Sequence, residues 1–484
     1  MRCRALPRGL TGAAIALLLT YPSAAWSEDV VAATQATAPA IDGADTAFVM
    51  ISAALVMLMT PGLGLFYGGM VRRKNVLATF QQSFIMLGVM TLQWILYGYS
   101  LAFSPDAFGG LVGGLSWVGL SGVGLAPSSV ADYGPTIPHQ LHMVFQGMFA
   151  VITPALMSGA FAERMKFSAY LTFSLLWATF VYDPVAHWVW NPDGWIFKLG
   201  ALDFAGGLVV HVISGIAALC CVLVMGRRKG LGEEEMHPHN LTMTALGTAL
   251  LWFGWFGFNA GSALAANSRA VAAFVNTNAA AAAGTACWAA IEWVHKGKAT
   301  VLGACTGAVA GLVVITPAAA FVTPFSAILM GLAVCFLCYG AIMLKSKLDY
   351  DDSLDVFGVH GVGGAFGAVA VGIFAVKNIV PGVSSPGGLL DGHANQLGIQ
   401  ALSLGAAAAY SFGVTFILLK FVDLVIGLRV DADDEEAGLD LSQHGERGYI
   451  MGVGEFLGGG HPLEREIVEG VHSREVEALA SASK

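Results

Sequence analysis

The sequence predicts an all-α polytopic membrane protein, with eleven transmembrane helices arranged as a 5+5 inverted repeat plus one extra helix. Three observations carry this. Of the 484 residues, 56% are hydrophobic and 12% charged, whereas soluble domains carry about 25% charge. Apolar stretches of the roughly 20 residues needed to cross a hydrocarbon core recur from near Ala47 to Leu428. The connectors between them alternate in charge. One set holds Arg72-Arg73-Lys74, Arg164 with Lys166, Arg227-Arg228-Lys229, Lys296 with Lys298, and Lys345 with Lys347, while the other holds Lys198, Arg269 and Lys377. Connectors rich in Lys and Arg face the cytoplasm.

In chain order, Arg2, Arg4 and Arg8 precede a short apolar run from Gly12 to Leu19, and Ser23-Ala24-Ala25-Trp26-Ser27 follow before Glu28. This is the pattern of a secretory signal peptide over 1–27, cut after Ser27 or after Ala25. Residues 28–45 then form an extracytoplasmic amino-terminal segment. The transmembrane domain runs over 46–428, with spans expected at 46–70, 77–103, 138–161, 167–190, 202–226, 241–265, 271–294, 300–317, 324–344, 354–375 and 399–428. An odd number of spans that starts outside ends inside, so the tail 429–484 is cytoplasmic. Much of the net charge of −9 sits there, in DADDEEAGLD, and by itself such a run reads as solvated.

Several function classes drop out. Lys and Arg fall in short clusters between apolar runs, which is no footprint for nucleic acid. Six of the seven cysteines (Cys220, Cys221, Cys287, Cys305, Cys335 and Cys338) lie in apolar runs and read as small core residues. Cys335 and Cys338 form a CxxC pair without the second pair or histidines that a zinc site needs. Glycine, at 61 residues, occurs among Ala and Ser where helices approach closely, and not in the strand-turn-helix context of a phosphate loop. No cofactor, metal or enzymatic activity is expected.

Five spans followed by five more have opposite orientations, the arithmetic of an inverted repeat. Internal echoes agree: the fifth span opens with Asp203-Phe-Ala-Gly-Gly and contains His211, and the tenth opens with Asp355-Val-Phe-Gly and contains His360. His211 lies eight residues after Asp203, and His360 eight after Asp352. At 1.5 Å per helical residue each would sit about 12 Å below its own membrane face. A lone histidine on an apolar helix is more often a packing residue. Two at matched depth on equivalent helices point instead to a shared midplane site. Neutral imidazoles, each with one donor and one acceptor, can share a proton and turn their remaining nitrogens to a small ligand. Asp203 and Asp355 are read as helix caps.

The motifs DFAGGLVVHVISG at Asp203 to Gly215, LWFGWFGFNAGSA at Leu251 to Ala263, AFAERMKFSA at Ala160 to Ala169 and DVFGVHGVGG at Asp355 to Gly364 resemble the ammonium transporter family, whose related branch is the Rhesus glycoproteins. The likeness keeps the same order from about Ala47 to Tyr449. It implies the ammonium transporter fold, with His211 and His360 as twin pore histidines and Phe149 and Phe258 as a stacked pair closing the outer mouth. It further implies an outer ammonium-binding site of Phe145, Trp190 and Ser262, a structural role for Asp203 in that vestibule, and Thr316 as a pore-side neighbour. Trp190 with Ser262 favours the ammonium branch over the Rhesus branch. Asn191-Pro192-Asp193 departs from the family's glycine-rich turn. Taken singly, each aromatic reads more readily as packing or an interfacial belt. Jointly, aromatic faces attract a cation by about 0.5–2 kcal/mol and a hydroxyl accepts one hydrogen bond.

The same resemblance implies conduction of ammonium or ammonia across the inner membrane and a homotrimer in the bilayer. It also implies a tail, LRVDADDEEAGLDLSQHGERGY, that packs under the pore and meets a PII-type signal protein. Potassium cannot shed a proton, and no TVGYG-type carbonyl filter is present to carry it. Two other readings stay open. An ammonium sensor signalling through the tail would show an added signalling domain, for which the 55 residues after Arg429 leave little room. A passive ammonia gas channel would differ only in moving no charge. The stretch 455–484 matches no motif and receives no function.

Overall fold

The computed structural model describes residues 40–380 and 385–449. The expected signal peptide, residues 28–39 and the stretch 455–484 lie outside the described residues. Every regular element described is helical, and extended contacts are limited to isolated bridges such as Met165 with Arg429.

The apolar segments form α1 (Gly43–Met70), α2 (Arg73–Phe103), α3 (His139–Met157), α4 (167–190), α5 (Gly207–Met225) and α6 (Leu241–Gly261). They continue as α7 (Ser268–Lys296), α8 (Val301–Ile315), α9 (Pro324–Leu348), α10 (Phe357–Phe374) and α11 (Ala394–Val425). Among the described residues, eight of these (α1, α2, α3, α5, α6, α9, α10 and α11) are long and apolar enough to cross a membrane. The other three expected spans fall on α4, which a wide π turn interrupts at Ala178–Tyr182, on the alanine-rich α7, and on α8, a helix of 15 residues. Large apolar side chains such as Met50, Leu92, Phe253, Leu402 and Leu424 point outward. A surface of that kind is a bilayer-facing one, since apolar patches of such extent are rare on soluble monomers.

Helix starts follow local chemistry. Asp42 accepts from the backbone N–H of Ala44 and Asp45 at the head of α1, Asn240 caps α6, Asn267 caps α7 and Thr300 caps α8. α2 and α4 join through a buried side-chain bond, Gln93 Nε2 donating to Asp183 Oδ2 at 2.7 Å. Both partners sit beside π turns, which often mark places where a helix is bent to a purpose.

Two expectations need correction. The fifth span does not open at Asp203: residues 201–206 are non-helical and α5 begins in a π turn at Gly207–Val212. His211 is therefore only four residues, about 6 Å, into its helix. Its depth comes from buried irregular backbone leading into α5, which is tolerated in a membrane protein only inside protein. The second correction concerns α10, where the cap is Asp352 rather than Asp355. Asp352 accepts from Val356 N and Phe357 N at 3.0 and 2.8 Å, while Asp355 is paired with Lys345 Nζ. The pair Asp203/His211 thus matches Asp352/His360, each eight residues apart, with a π turn at each histidine.

The basic connectors converge on one face, as their alternation requires. Arg72 Nε donates to Glu163 Oε2 at 2.8 Å, Arg228 forks onto Asp351 at 2.9 Å through both Nε and Nη2, and the fully buried Arg164 donates to the Asp351 carbonyl at 2.6 Å. The acidic tail docks against these connectors through Glu435 and Asp440, which are buried, while Asp431, Asp433 and Glu436 remain exposed. α12 (Ala432–Ala437) and α13 (Leu439–His444) are tied down by Glu435, which accepts from Lys229 N at 2.6 Å and pairs with Arg429 at 2.7 Å. Asn75 Oδ1 accepts from Leu439 N, and Asp440 Oδ1 from Ala78 N, both at 2.8 Å.

Burial pushes the Glu163 carboxyl up, but Arg228 and Arg72 outweigh it and hold it below the ordinary value. For Asp351, likewise buried, Arg228 and Arg164 do the same. A carboxyl held low in the folded state stabilises it above the ordinary carboxylate pKa, and the contribution is lost as pH falls. Thermal unfolding in detergent should therefore show the midpoint dropping below about pH 4. Glu163→Gln, which leaves buried guanidinium charge uncompensated, should lower stability by about 3–5 kcal/mol at neutral pH.

Candidate functional site

α5 and α10 cross where neither has a side chain to separate them. A Cβ at Gly215 would lie 2.2 Å from the Gly361 nitrogen, and one at Gly364 would lie 2.8 Å from the His211 Cβ. This crossing sets His211 Nδ1 3.2 Å from His360 Nδ1, with ring centroids 5.2 Å apart and planes inclined by 24°. Both rings are buried. Since the contact joins two equivalent nitrogens, one imidazole donates and the other accepts, and the Nε2 atoms are left for something else. His211 Nε2 is buried with no hydrogen-bond partner among the described residues.

That nitrogen faces a narrow corridor lined by both histidines and by apolar side chains including Leu63, Phe66, Ile152 and Val309. It leaves room of only ≈ 10 Å³, about that of a single water-sized guest. On one side, past His360, it meets a cavity of ≈ 50 Å³ that includes Leu354, Asp355 and Val356, on the face of the ion cluster. On the other side Phe258 closes it, its ring centroid 4.3 Å from that of Phe149. The two rings are inclined by 40°, so they are tilted rather than stacked as expected.

Beyond Phe149 lies an open cavity of ≈ 380 Å³ whose wall includes Trp190, Ser262, Asp203 and Arg269. Trp190 stands edge-on to Phe149 at 5.8 Å and donates its indole N–H to the Asp203 carbonyl at 2.9 Å. Ser262 Oγ donates to the Phe258 carbonyl at 2.9 Å, which turns its lone pairs outward. Phe145, expected beside them, is fully buried behind Phe149 at 5.1 Å and does not line this cavity. The Asp203 carboxylate accepts from the N–H groups of Gly206, Gly207, Leu208 and Val209 at 2.5–3.2 Å. One residue thus holds the indole by its carbonyl and the His211 turn by its side chain.

Thr316 does not line the corridor. Its Oγ1 accepts from Trp255 Nε1 at 3.0 Å, and the Trp255 ring stacks on His211 with centroids 5.4 Å apart. Trp255 was absent from the expected site. Its signal was its place three residues before Phe258, on the same helix face. The departing turn after Trp190 is pinned by Asn191, whose Nδ2 donates to the carbonyls of Ala102 and Ser104 at 3.2 and 3.0 Å. The CxxC thiols are used in packing, Cys335 Sγ lying 3.2 Å from the Gly284 carbonyl.

Residues 47–449 match the model of the Ammonium Transporter Family. The ammonium transporter of Bacillus subtilis is 53% identical over 410 residues, covering 84% of this chain and 98% of that protein. The crystal structure of Mep2 from Saccharomyces cerevisiae superposes with a TM-score of 0.79 at 41% identity, over 85% of this chain and 93% of that one. A solved sensor Amt protein superposes with a TM-score of 0.75 at 30% identity, over 83% and 98% of the two chains.

The close approach of α5 to α10 gives a direct test. Gly215→Ala places a methyl group against Gly361 backbone, and overpacking of this kind costs about 1–3 kcal/mol. Chemical denaturation in detergent should show that loss, while Gly340→Ala, where a Cβ meets open space, should leave stability within about 0.5 kcal/mol.

Proposed function

The chain belongs to the ammonium transporter family, and on that premise we propose that it conducts ammonium across the inner membrane by releasing a proton at the Phe149–Phe258 gate, either to the imidazole pair or back to water in the outer cavity, and passing ammonia along the twin-histidine corridor. The observation that carries this reading is the imidazole pair, Nδ1 to Nδ1 at 3.2 Å, set in an apolar passage with room for one small guest.

Ammonium is first held in the outer cavity against Phe149 and Trp190, whose faces attract a cation, with Ser262 Oγ accepting one hydrogen bond. Phe145 acts from behind, fixing the Phe149 ring. Charge without a partner cannot enter an apolar passage cheaply, so the guest that passes Phe258 is the neutral amine. Desolvation favours that step because it destabilises the charged form. Inside, His211 Nε2 and the edge of the shared imidazole pair offer the hydrogen bonds that ammonia lost with its water. Trp255 keeps the His211 ring from turning, and Thr316 keeps Trp255. Potassium has no proton to give up, and the same dry passage excludes it.

The face that carries the basic connectors is cytoplasmic in this reading, by the positive-inside rule. The amino terminus is then outside and the docked tail lies beside the inner exit. The assembly is a homotrimer, and the tail is where a PII-type signal protein binds. Sensing is a second reading, favoured by the likeness to the sensor Amt protein. Transport is the better supported, since the family model and the relative at 53% identity are those of ammonium transporters.

Methylammonium uptake in a transport-deficient host tests the central claim. His211→Ala together with His360→Ala should reduce it by at least about tenfold, the equivalent of losing 1.4 kcal/mol or more; undiminished uptake would sink the proposal. Current recording on the same proteins separates the routes. Charge that moves with ammonium and vanishes in the double variant places the proton on the imidazoles, while uptake without charge supports a passive gas channel. Removing 429–484 should abolish PII binding in a pull-down, and binding that survives would remove the tail from that role.

A further inference from the structure

Arg269 is a cation on the wall of a cavity that, on the transport reading, must attract cations. It is the second residue of α7, just after the cap Asn267, whose Oδ1 accepts from Arg269 N and Ala270 N at 3.0 and 3.2 Å. A positive side chain in the first helical turn opposes the helix dipole, so helix stability does not explain its presence. Its side chain makes no ion pair within 4 Å among the described residues, and its Nε is buried without a hydrogen-bond partner there. What it touches is aromatic. The guanidinium carbon lies 5.0 Å from the centroid of Phe204 and 5.4 Å from that of Phe321, and the two rings meet edge to face at 5.7 Å.

Phe204, Phe321 and Arg269 share the outer cavity with Trp190 and Ser262. Two of the aromatic faces that could hold ammonium therefore already carry a tethered positive charge. Among the described residues two carboxylates also line this cavity, Asp132 and Asp203. Asp203 is spent on four backbone N–H groups, leaving Asp132 to offset the guanidinium. We propose that Arg269 sets the affinity of the outer site: it occupies Phe204 and Phe321 as a built-in competitor, confines ammonium to the Trp190 side, and raises the local potential so that ammonium binds there more weakly than the aromatic cluster alone would allow. Such a residue keeps the site from saturating at low ammonium. The proposal rests on the transport reading above and deepens it.

The test uses the full-length protein in proteoliposomes, with methylammonium uptake for KM and Vmax, and methylammonium binding to the purified protein followed by tryptophan fluorescence. Arg269→Gln keeps a planar polar end but removes the charge. It should lower KM by about two- to fivefold at low ionic strength, the range expected for removing one charge from the wall of a partly aqueous cavity, with Vmax unchanged. The difference should close as sodium chloride is added and the screening length shortens. Arg269→Lys should behave as the parent, and Asp132→Asn should raise KM. A KM that is unchanged or raised in Arg269→Gln, a shift insensitive to salt, or an equal shift in Arg269→Lys overturns the proposal. Parent protein that binds methylammonium without taking it up overturns transport alone, and the binding curves of the variants still decide the role of Arg269.

Discussion

Four backbone N–H groups that end on one carboxylate make the rest of this structure possible. Helices interrupted inside an apolar medium leave backbone donors that water cannot reach, and Asp203 satisfies those of residues 206–209 at the head of α5. Asp352 does the same for Val356 and Phe357 at the head of α10. With both breaks closed, each histidine can sit in the first wide turn of a helix that begins within the protein. Asp203 also lends its carbonyl to Trp190, so the aromatic wall of the cavity and His211 hang from a single residue.

The corridor is defined by what it lacks as much as by what it holds. Apart from the two imidazoles its walls are aliphatic, thioether and aromatic, a surface against which an unpaired charge is costly. The imidazole pair, tied together through Nδ1, is the polar feature of that lining. Small residues make this geometry accessible: Gly215 and Gly364 let α5 and α10 approach until the rings meet.

At the opposite end, charge is concentrated rather than excluded. Arg72, Arg164 and Arg228 share Glu163 and Asp351 there, and the tail is stitched to the same connectors by Glu435, Asn75 and Asp440. Buried ion pairs of this kind add little net stability but are costly to break. They therefore specify how the connectors and tail register against one another, and any partner that moves the tail must work against that register.

The sequence alone determined that this chain is a bundle of apolar helices, where most of them start and stop, which connectors share a face, and that His211 and His360 are equivalent. These are readable because hydropathy, charge alternation and repeated spacing are local or periodic properties. It could not determine that α5 begins at Gly207, that Asp352 and not Asp355 caps α10, that Phe145 stands behind Phe149, or that Thr316 acts through Trp255. Nor did the charge of the DADDEEAGLD run reveal that it is docked. Each of these depends on which groups meet across helices far apart in the chain, and only close packing in three dimensions, where a buried donor must find an acceptor and a glycine decides how near two backbones come, settles that.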